Sequence, residues 1–509
     1  MKKFVIIDLS KDVDLTVNNA QIFQLSCGIT KLKNSTLLNK KFFSEKKFKK
    51  FREKVNTLLF NFYNYLKTDK SKNDLLPLEL FNSRNDKNQI YNKLFYLLEI
   101  IDYVKKKKIK NLEIITDDYS FYDTYKSIKL ANINIICLNK NRNSSSLFFY
   151  FKKTLFFHLK TFIFVFFTKF FKDKKVDLFE NGCISIYPIF FKNEKNFLFN
   201  KNYLNINFQI TDETHLNNSL FKNLESFFEI KKLNNTISIE SYISLIDVIK
   251  NFFISMFNYF IIKKAKNFKF EFIGLNVDNQ FFSLFFNSFI NKNKVNIYEQ
   301  PLSKVIEKFQ IKKFHYYLFE YSFGHCINYA LKKNNPSVET VGYQHGIYSE
   351  RLMWQDFSKK VSYNNFYPDK IVCKYFHSLK TYKNNFIKKK IIFFKSKKDK
   401  KNKLVFKKNK YSVFLGLHDC YNMINGLRKL NQKKEFMLNF HPKLKRYNTI
   451  LNLPKNMKIY GKNKNFLKIL STTSTIPYQL ITQEKFYIFV PNNIIPLNPP
   501  EFDKLFLKN

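Results

Sequence analysis

The chain has 509 residues, 45% of them hydrophobic, which is enough to bury more than one core and excludes wholesale disorder. With 88 Lys and Arg against 40 Asp and Glu, the formal charge is +48, a surface that attracts anionic lipid, nucleotides and acidic glycans. Only 9 glycines occur and no glycine-rich phosphate loop is present, which argues against a P-loop NTPase or a glycine-fingerprint dehydrogenase.

In chain order, the opening MKKFVIIDLS has too short an apolar run for a signal peptide, so Phe4–Leu9 reads as a first strand. Helical spacing follows over Phe48–Leu66 and Ile90–Val104, the latter ending in Lys105–Lys108. Leu112–Thr116 and Ile133–Leu138 are short apolar strands flanking a helix, and strands alternating with helices imply a mainly parallel sheet. The stretch Leu147–Lys172 is apolar and aromatic, yet its longest uncharged run, Thr161–Thr168, is less than half a membrane span. Lysines at 152, 153, 160, 169 and 172 punctuate it, the pattern of a helix lying in a membrane interface; a buried helix in a phenylalanine-rich chain is the rival reading. A second apolar stretch, Phe252–Ile262, reads as a core helix.

A further α/β run begins near Val176, with strands at Cys183–Tyr187, Phe270–Leu275, His315–Phe319 and Glu339–Tyr343. Helices fall at Phe281–Ile290 and Gly324–Lys332. The lysine-dense Lys395–Lys410 reads as a linker dividing an N-terminal unit, 1–394, from a C-terminal unit, 411–509. In the latter, strands fall at Tyr411–Gly416, Glu435–Phe440, Met457–Tyr460 and Phe486–Pro491, with helices around Met423–Asn431 and Asn465–Leu470.

Polar clusters stand where strands should end, the edge at which open α/β sheets bind ligands. Gln344-His345-Gly346 follows the strand ending at Tyr343 and presents an amide, an imidazole and a residue tolerant of close backbone approach. His441-Pro442-Lys443 follows the strand EFMLNF, and Ser471–Thr475 precedes an apparent helix start, where hydroxyls and free amides can cradle an anion. His418-Asp419 also follows a strand and is held as a reserve pair. Asp117-Asp118 reads as a solvated loop rather than a metal-carboxylate pair, and His158 and Trp354 as packing or interface residues. The six cysteines (Cys27, Cys137, Cys183, Cys326, Cys373, Cys420) are scattered without a CxxC pair, as suits a reducing cytoplasm. No zinc-finger spacing, RNP-type motif or basic zipper is found, so no specific nucleic-acid partner is expected.

Taken together, VGYQHGIYSE (341–350), FYPDKIVCKYF (366–376), NFHPKLK (439–445) and TSTIPYQLI (473–481) resemble bacterial surface-carbohydrate biosynthesis proteins of the GT-B glycosyltransferase kind. The capsule Kdo transferases, the HP-motif sialyltransferases and, more distantly, the CDP-glycerol polymer transferases belong to that group. The likeness covers roughly Tyr316 to Pro491 and includes YYLFEYSFGHCINYAL (316–331), which contains Glu320. It implies two Rossmann-like domains facing across a cleft, with a basic apolar helical insertion in the N-terminal half. It also implies transfer of a sugar, an acidic CMP-activated one among the candidates, to a surface polysaccharide or lipid-linked glycan at the inner face of the cytoplasmic membrane. No metal or other cofactor beyond the nucleotide-sugar donor is implied. By carry-over, Glu320, His345 and His441 would be catalytic, with Glu320 as base and His441 meeting the donor phosphate. Gln344, Gly346, Pro442, Lys443, Ser474, Thr475 and Gln479 would bind the donor. Gln479 stands where relatives often carry Glu, and Lys374-Tyr375 where they tend to have glycine, which leaves donor preference open. A CDP-polyol phosphotransferase and a non-catalytic basic membrane or nucleic-acid adaptor are the alternatives.

Overall fold

Short strands, the central ones buried and mostly apolar, build three parallel sheets covered by helices. The computed structural model describes residues 3–9, 20–26, 35–67, 78–85, 87–139, 147–171, 178–185, 202–210, 219–317, 320–346, 348–354, 356–357, 366–394, 409–416, 418–428, 430, 434–440, 453, 455–459, 466–473 and 485–507.

The first sheet has the order β3-β2-β1-β4-β5, formed by β1 (Lys3–Asp8), β2 (Ala20–Gln24), β3 (Ser35–Thr36), β4 (Asn111–Thr116) and β5 (Asn132–Cys137). Helices α1 (Leu38–Phe42), α2 (Glu45–Leu66), α3 (Glu79–Asn82) and α4 (Gln89–Lys106) separate β3 from β4, and α5 (Tyr122–Lys126) precedes β5. The second sheet contains β6 (Asn181–Ile184), β7 (Tyr203–Asn207) and β8 (Thr236–Ser238). A helical layer follows: α6 (Leu147–Lys169) before the sheet, then α7 (Leu220–Lys231), α8 (Leu245–Phe257), α9 (Tyr259–Lys266), α10 (Asp278–Asn296), α11 (Glu299–Phe309) and α12 (Ser322–Asn334). A two-strand antiparallel hairpin, β9 (Glu271–Phe272) and β10 (Leu275–Asn276), lies between α9 and α10. With β11 (Lys313–Tyr316), β12 (Glu339–Tyr343), β13 (Lys370–Cys373) and β14 (Lys390–Phe393), the second sheet runs β14-β13-β12-β11-β6-β7-β8, and α13 (Phe376–Asn385) links its last two strands. The third sheet is β17-β16-β15-β18-β19, from β15 (Lys410–Phe414), β16 (Glu435–Asn439), β17 (Met457–Ile459), β18 (Leu467–Ser471) and β19 (Phe486–Phe489), with α14 (Cys420–Arg428) after β15.

In each sheet the strand order reverses beside the first strand: between β1 and β4, β6 and β11, and β15 and β18. Neighbouring connections leave in opposite directions there, opening a crevice at the carboxyl edge. The expectation of an α/β chain with parallel sheets holds. The segment 1–394, read from sequence as one unit, carries two separate sheets. Most of the linker segment, 395–408, lies outside the described residues.

Three sequence expectations are corrected. Asn465–Leu470 is not a helix: β18 occupies it, because five residues with Ile469 and Leu470 fully buried fit a central strand as well as a helical turn. Phe270–Leu275 is not a sheet strand but a hairpin, since Ile273 (φ 53°) and Gly274 (φ 76°) turn the chain sharply. Phe252–Ile262 is not a core helix. Phe253, Ile254, Phe257 and Phe260 are all more than half exposed.

That last correction belongs to a wider pattern. Beside Phe157, Phe164 and Val165, α6 buries Thr154, His158, Thr161 and Thr168, while Phe148, Phe151, Phe156, Leu159 and Phe166 point outward. Where α8 packs on α6 it buries Asn251 and Ser255. Asn251 Nδ2 donates to His158 Nε2 (3.0 Å) and Asn293 O (3.2 Å), Asn293 Nδ2 donates to the Tyr150 hydroxyl (2.9 Å), and that hydroxyl donates to Ser255 O. His158 Nδ1 then gives its hydrogen to Thr154 O (2.7 Å), and burial lowers the ring's pKa, so it sits neutral. The buried face of α6 thus mixes polar groups with Tyr150, Phe157, Phe164 and Val165, while many of its phenylalanines stay exposed.

Candidate functional site

β12 ends at Tyr343, and its next three residues are Gln344, His345 and Gly346. Gln344 is buried with its whole amide in use. Nε2 donates to Ser378 Oγ (2.9 Å) and Gly346 O (3.2 Å), while Oε1 accepts from the amides of Lys374 (3.0 Å) and Tyr375 (3.1 Å). It ties the loop after β12 to the one after β13, so its work is positional. Lys374-Tyr375 supplies the two amides.

Glu320 is 1% exposed beneath that loop. Its Oε1 accepts from the Tyr382 hydroxyl (2.7 Å) and its Oε2 from the Gly346 amide (3.2 Å). A Cβ on Gly346 would lie 3.2 Å from both Glu320 Oε2 and Trp354, so glycine lets the backbone reach the carboxylate. Tyr382 is buried and stacks on Tyr348 at 4.0 Å, and burial followed by the Glu320 charge pushes its pKa well up, keeping the hydroxyl a donor. The Arg84 guanidinium lies over both Tyr321 (4.3 Å) and Trp354 (4.1 Å), which makes Trp354 a packing residue as expected. His345 is partly exposed beside the Tyr321 ring, 6.4 Å between centroids.

At the third sheet's crevice, the reserve pair carries more than the sequence indicated. Asp419 is buried and accepts from Ser471 Oγ (2.7 Å to each oxygen) and Thr473 Oγ1 (3.0 Å). Any Cβ on Gly416 would overlap the Thr473 and Ser471 hydroxyls and the Asp419 carboxylate, so the bare backbone is what admits the cluster. Burial raises the Asp419 pKa to about 6 against the hydroxyls that lower it. Because the folded value lies above the ordinary aspartate value of 3.8, this group's contribution to stability is complete below about pH 4 and is lost as pH rises through about 6. Asp419→Asn should therefore flatten the stability profile between pH 4 and 7, the slope removed integrating to on the order of 3 kcal/mol. Thermal unfolding across that range reads it.

Residues 490–507 join these edges. Thr472 Oγ1 donates to Asn498 Oδ1 (2.7 Å) and accepts from the Leu497 amide (3.0 Å). From the loop after β12, Ser349 Oγ donates to Leu497 O, and Arg351 Nη1 donates to Asn498 O (3.0 Å). The Gln-His-Gly loop and the Ser/Thr cluster thus share the dipeptide Leu497-Asn498. A second bridge runs from the first sheet. Asn82 Nδ2 donates to Glu320 O (2.9 Å) and Gln89 Nε2 to His418 O (3.3 Å), so two residues whose Cα atoms are at most ~25 Å apart along the chain contact both clusters.

His441-Pro442-Lys443, Ser474, Thr475 and Gln479 lie outside the described residues; β16 ends at Asn439 and β18 at Ser471, on the carboxyl edge that carries Asp419. Sequence reading missed Gly416 as a site residue; its signal was a glycine two residues beyond the end of β15 in a glycine-poor chain. At the first sheet's crevice, Asp118 is not a solvated carboxylate: it accepts from Lys93 Nζ (2.8 Å), which also meets the fully buried Asp8 (2.9 Å). Among the described residues no group of three or more His, Cys, Asp or Glu side chains could hold a metal ion. Neither protein-family models nor curated proteins match the chain.

Proposed function

We propose that the protein is a glycosyltransferase of the GT-B kind, transferring a sugar from a nucleotide-sugar donor to a surface polysaccharide or lipid-linked glycan. The observation that supports this most is the joining of the second and third sheets' carboxyl edges through Leu497-Asn498, with His345 on one side and the Asp419–Ser471–Thr473 cluster on the other. Parallel sheets meeting edge to edge offer a crevice lined by loop amides and hydroxyls, suited to a nucleotide phosphate. In this reading His345 takes the acceptor proton in place of Glu320, the base the resemblance implied, because Glu320 is buried and, with Gln344, holds the loop that carries His345. His441 and the hydroxyls of Ser474 and Thr475 would neutralise the leaving phosphate. The outward phenylalanines of α6 and α8, flanked by lysines, favour attachment to an anionic membrane surface, where lipid-linked acceptors reside. Leu245–Lys266 is also the one described helical stretch long and apolar enough to cross a membrane by length and composition.

The test is nucleotide release from CMP-, UDP- and CDP-activated donors in the presence of membrane-lipid extract. His345→Ala should lower the rate by about 10²–10⁴-fold. Unchanged turnover in that variant would remove His345 from the chemistry. Release of CMP from CDP-glycerol alone would favour polyol-phosphate transfer instead. Absence of release with every donor, together with salt-sensitive binding to nucleic acid, would favour the adaptor reading.

A further inference from the structure

A cavity of about 340 Å³ lies away from the sheet edges. It opens between α8, the α10–α11 junction and α12, and its volume falls within the range of small-ligand sites, about 300–1,000 Å³. Its charged walls are unevenly matched. Glu299 is paired with Lys333 (2.8 Å), and Asp247 accepts from the Ser244 amide (3.2 Å) and faces Lys304 (3.6 Å). Lys250 and Lys292 have no ion-pair partner among the described residues. Two uncompensated cations therefore line the space, which suits a phosphate.

The position of this cavity selects among phosphates. Lys250, Asn251 and Ile254 of α8 form one wall, and Ile254 is also part of the outward apolar surface with Phe253 and Phe257. Polar lining and lipid-like surface meet within one helical turn. We infer that this cavity binds the phosphate headgroup of a membrane lipid, with Lys250 and Lys292 on the phosphate and the alkyl chain leaving past Ile254. A smaller cavity shares Lys292, Val295 and Cys326 as walls and reaches Glu79 and Ser322, whose hydroxyl donates to Glu79 (2.6 Å) two residues from Glu320. A headgroup held here would lie on the side from which a lipid-linked acceptor approaches the loop after β12. Only that last statement rests on the proposed transferase activity; lipid binding is read without turnover.

The full chain is to be measured against three sets of vesicles: phosphatidylcholine alone, phosphatidylcholine with phosphatidylglycerol, and phosphatidylcholine with a long-chain polyprenyl monophosphate at matched surface charge. Binding to the monophosphate vesicles should be roughly 10-fold tighter than to the phosphatidylglycerol vesicles. The double variant Lys250→Gln/Lys292→Gln should bring the two within about twofold while still binding phosphatidylglycerol, which also reports that it is folded. Phe253→Ser/Phe257→Ser should weaken binding to all three. A preference that survives the double lysine variant, or no preference in the parent chain, overturns the assignment. So does inorganic pyrophosphate that binds as tightly as the lipid through the same lysines, since the site would then serve a soluble anion.

Discussion

Arg351→Ala is expected to lower global stability by about 3 kcal/mol, because it removes a buried guanidinium that holds the Asn498 carbonyl and two half-exposed carboxylates. The guanidinium is 1% exposed and makes contacts with three parts of the chain. Nη1 and Nη2 donate to the two Asp503 oxygens (2.7 and 2.8 Å), Nε donates to Glu45 at the start of α2 (2.7 Å), and Nη1 also reaches Asn498 O. Its own carbonyl accepts from Asn85 (3.0 Å). The planar fork is what allows the two-oxygen grip on Asp503, so Arg351→Lys should recover less than half of the loss. Thermal unfolding measures the first effect. Limited proteolysis between residues 490 and 507, faster in the variant, would place the damage where the contacts are.

Lys93→Met is the second large effect, about 3–5 kcal/mol. Lys93 Nζ lies between Asp8 (2.9 Å) and Asp118 (2.8 Å), and Asp8 keeps otherwise only the Tyr125 hydroxyl (2.7 Å) and the Thr116 hydroxyl (3.4 Å) among the described contacts. Desolvation acts against the ammonium, but the Asp8 and Asp118 charges together prevail and hold its pKa above the usual lysine value. Removing the cation leaves a carboxylate inside the first sheet's crevice with nothing of opposite charge beside it. Lys93→Met/Asp8→Asn should recover much of the loss, because both halves of the pair then go. If the double variant is no more stable than Lys93→Met in urea unfolding, the cluster is not held by this pairing.

The apolar strands were legible because runs such as FVIID and EIIT can be little else between charged flanks. Short polar strands were not. β7 (YLNIN) and β8 (TIS) look like loop sequence, yet Asn205 is buried by bonding Cys183 Sγ (2.9 Å) and Asn235 O, contacts set by residues up to thirty positions away. The Gln-His-Gly loop was located from sequence at its true place on the sheet, but the division of labour within it was not. That Gln344 spends its amide on Lys374 and Tyr375, and that Glu320 is roofed by Gly346, depends on β12 and β13 being neighbours. For α6, phenylalanines occur all round the helix, so one-dimensional periodicity could not tell which face meets protein. The positions of α7, α8 and α10 around it decide it.

The span 490–507 touches β2 through Asn493, α4 through Ile494 and Ile495, the β12 loop through Leu497 and Asn498, and α13 through Glu501. A tether fastened at so many points makes wide jaw-like opening of the third sheet expensive, since each degree of rotation would have to peel several of these attachments at once. On the proposed transferase activity, substrates would then enter by local loop excursions, and turnover should respond to changes in loop pliancy far more than to solvent viscosity acting on whole lobes.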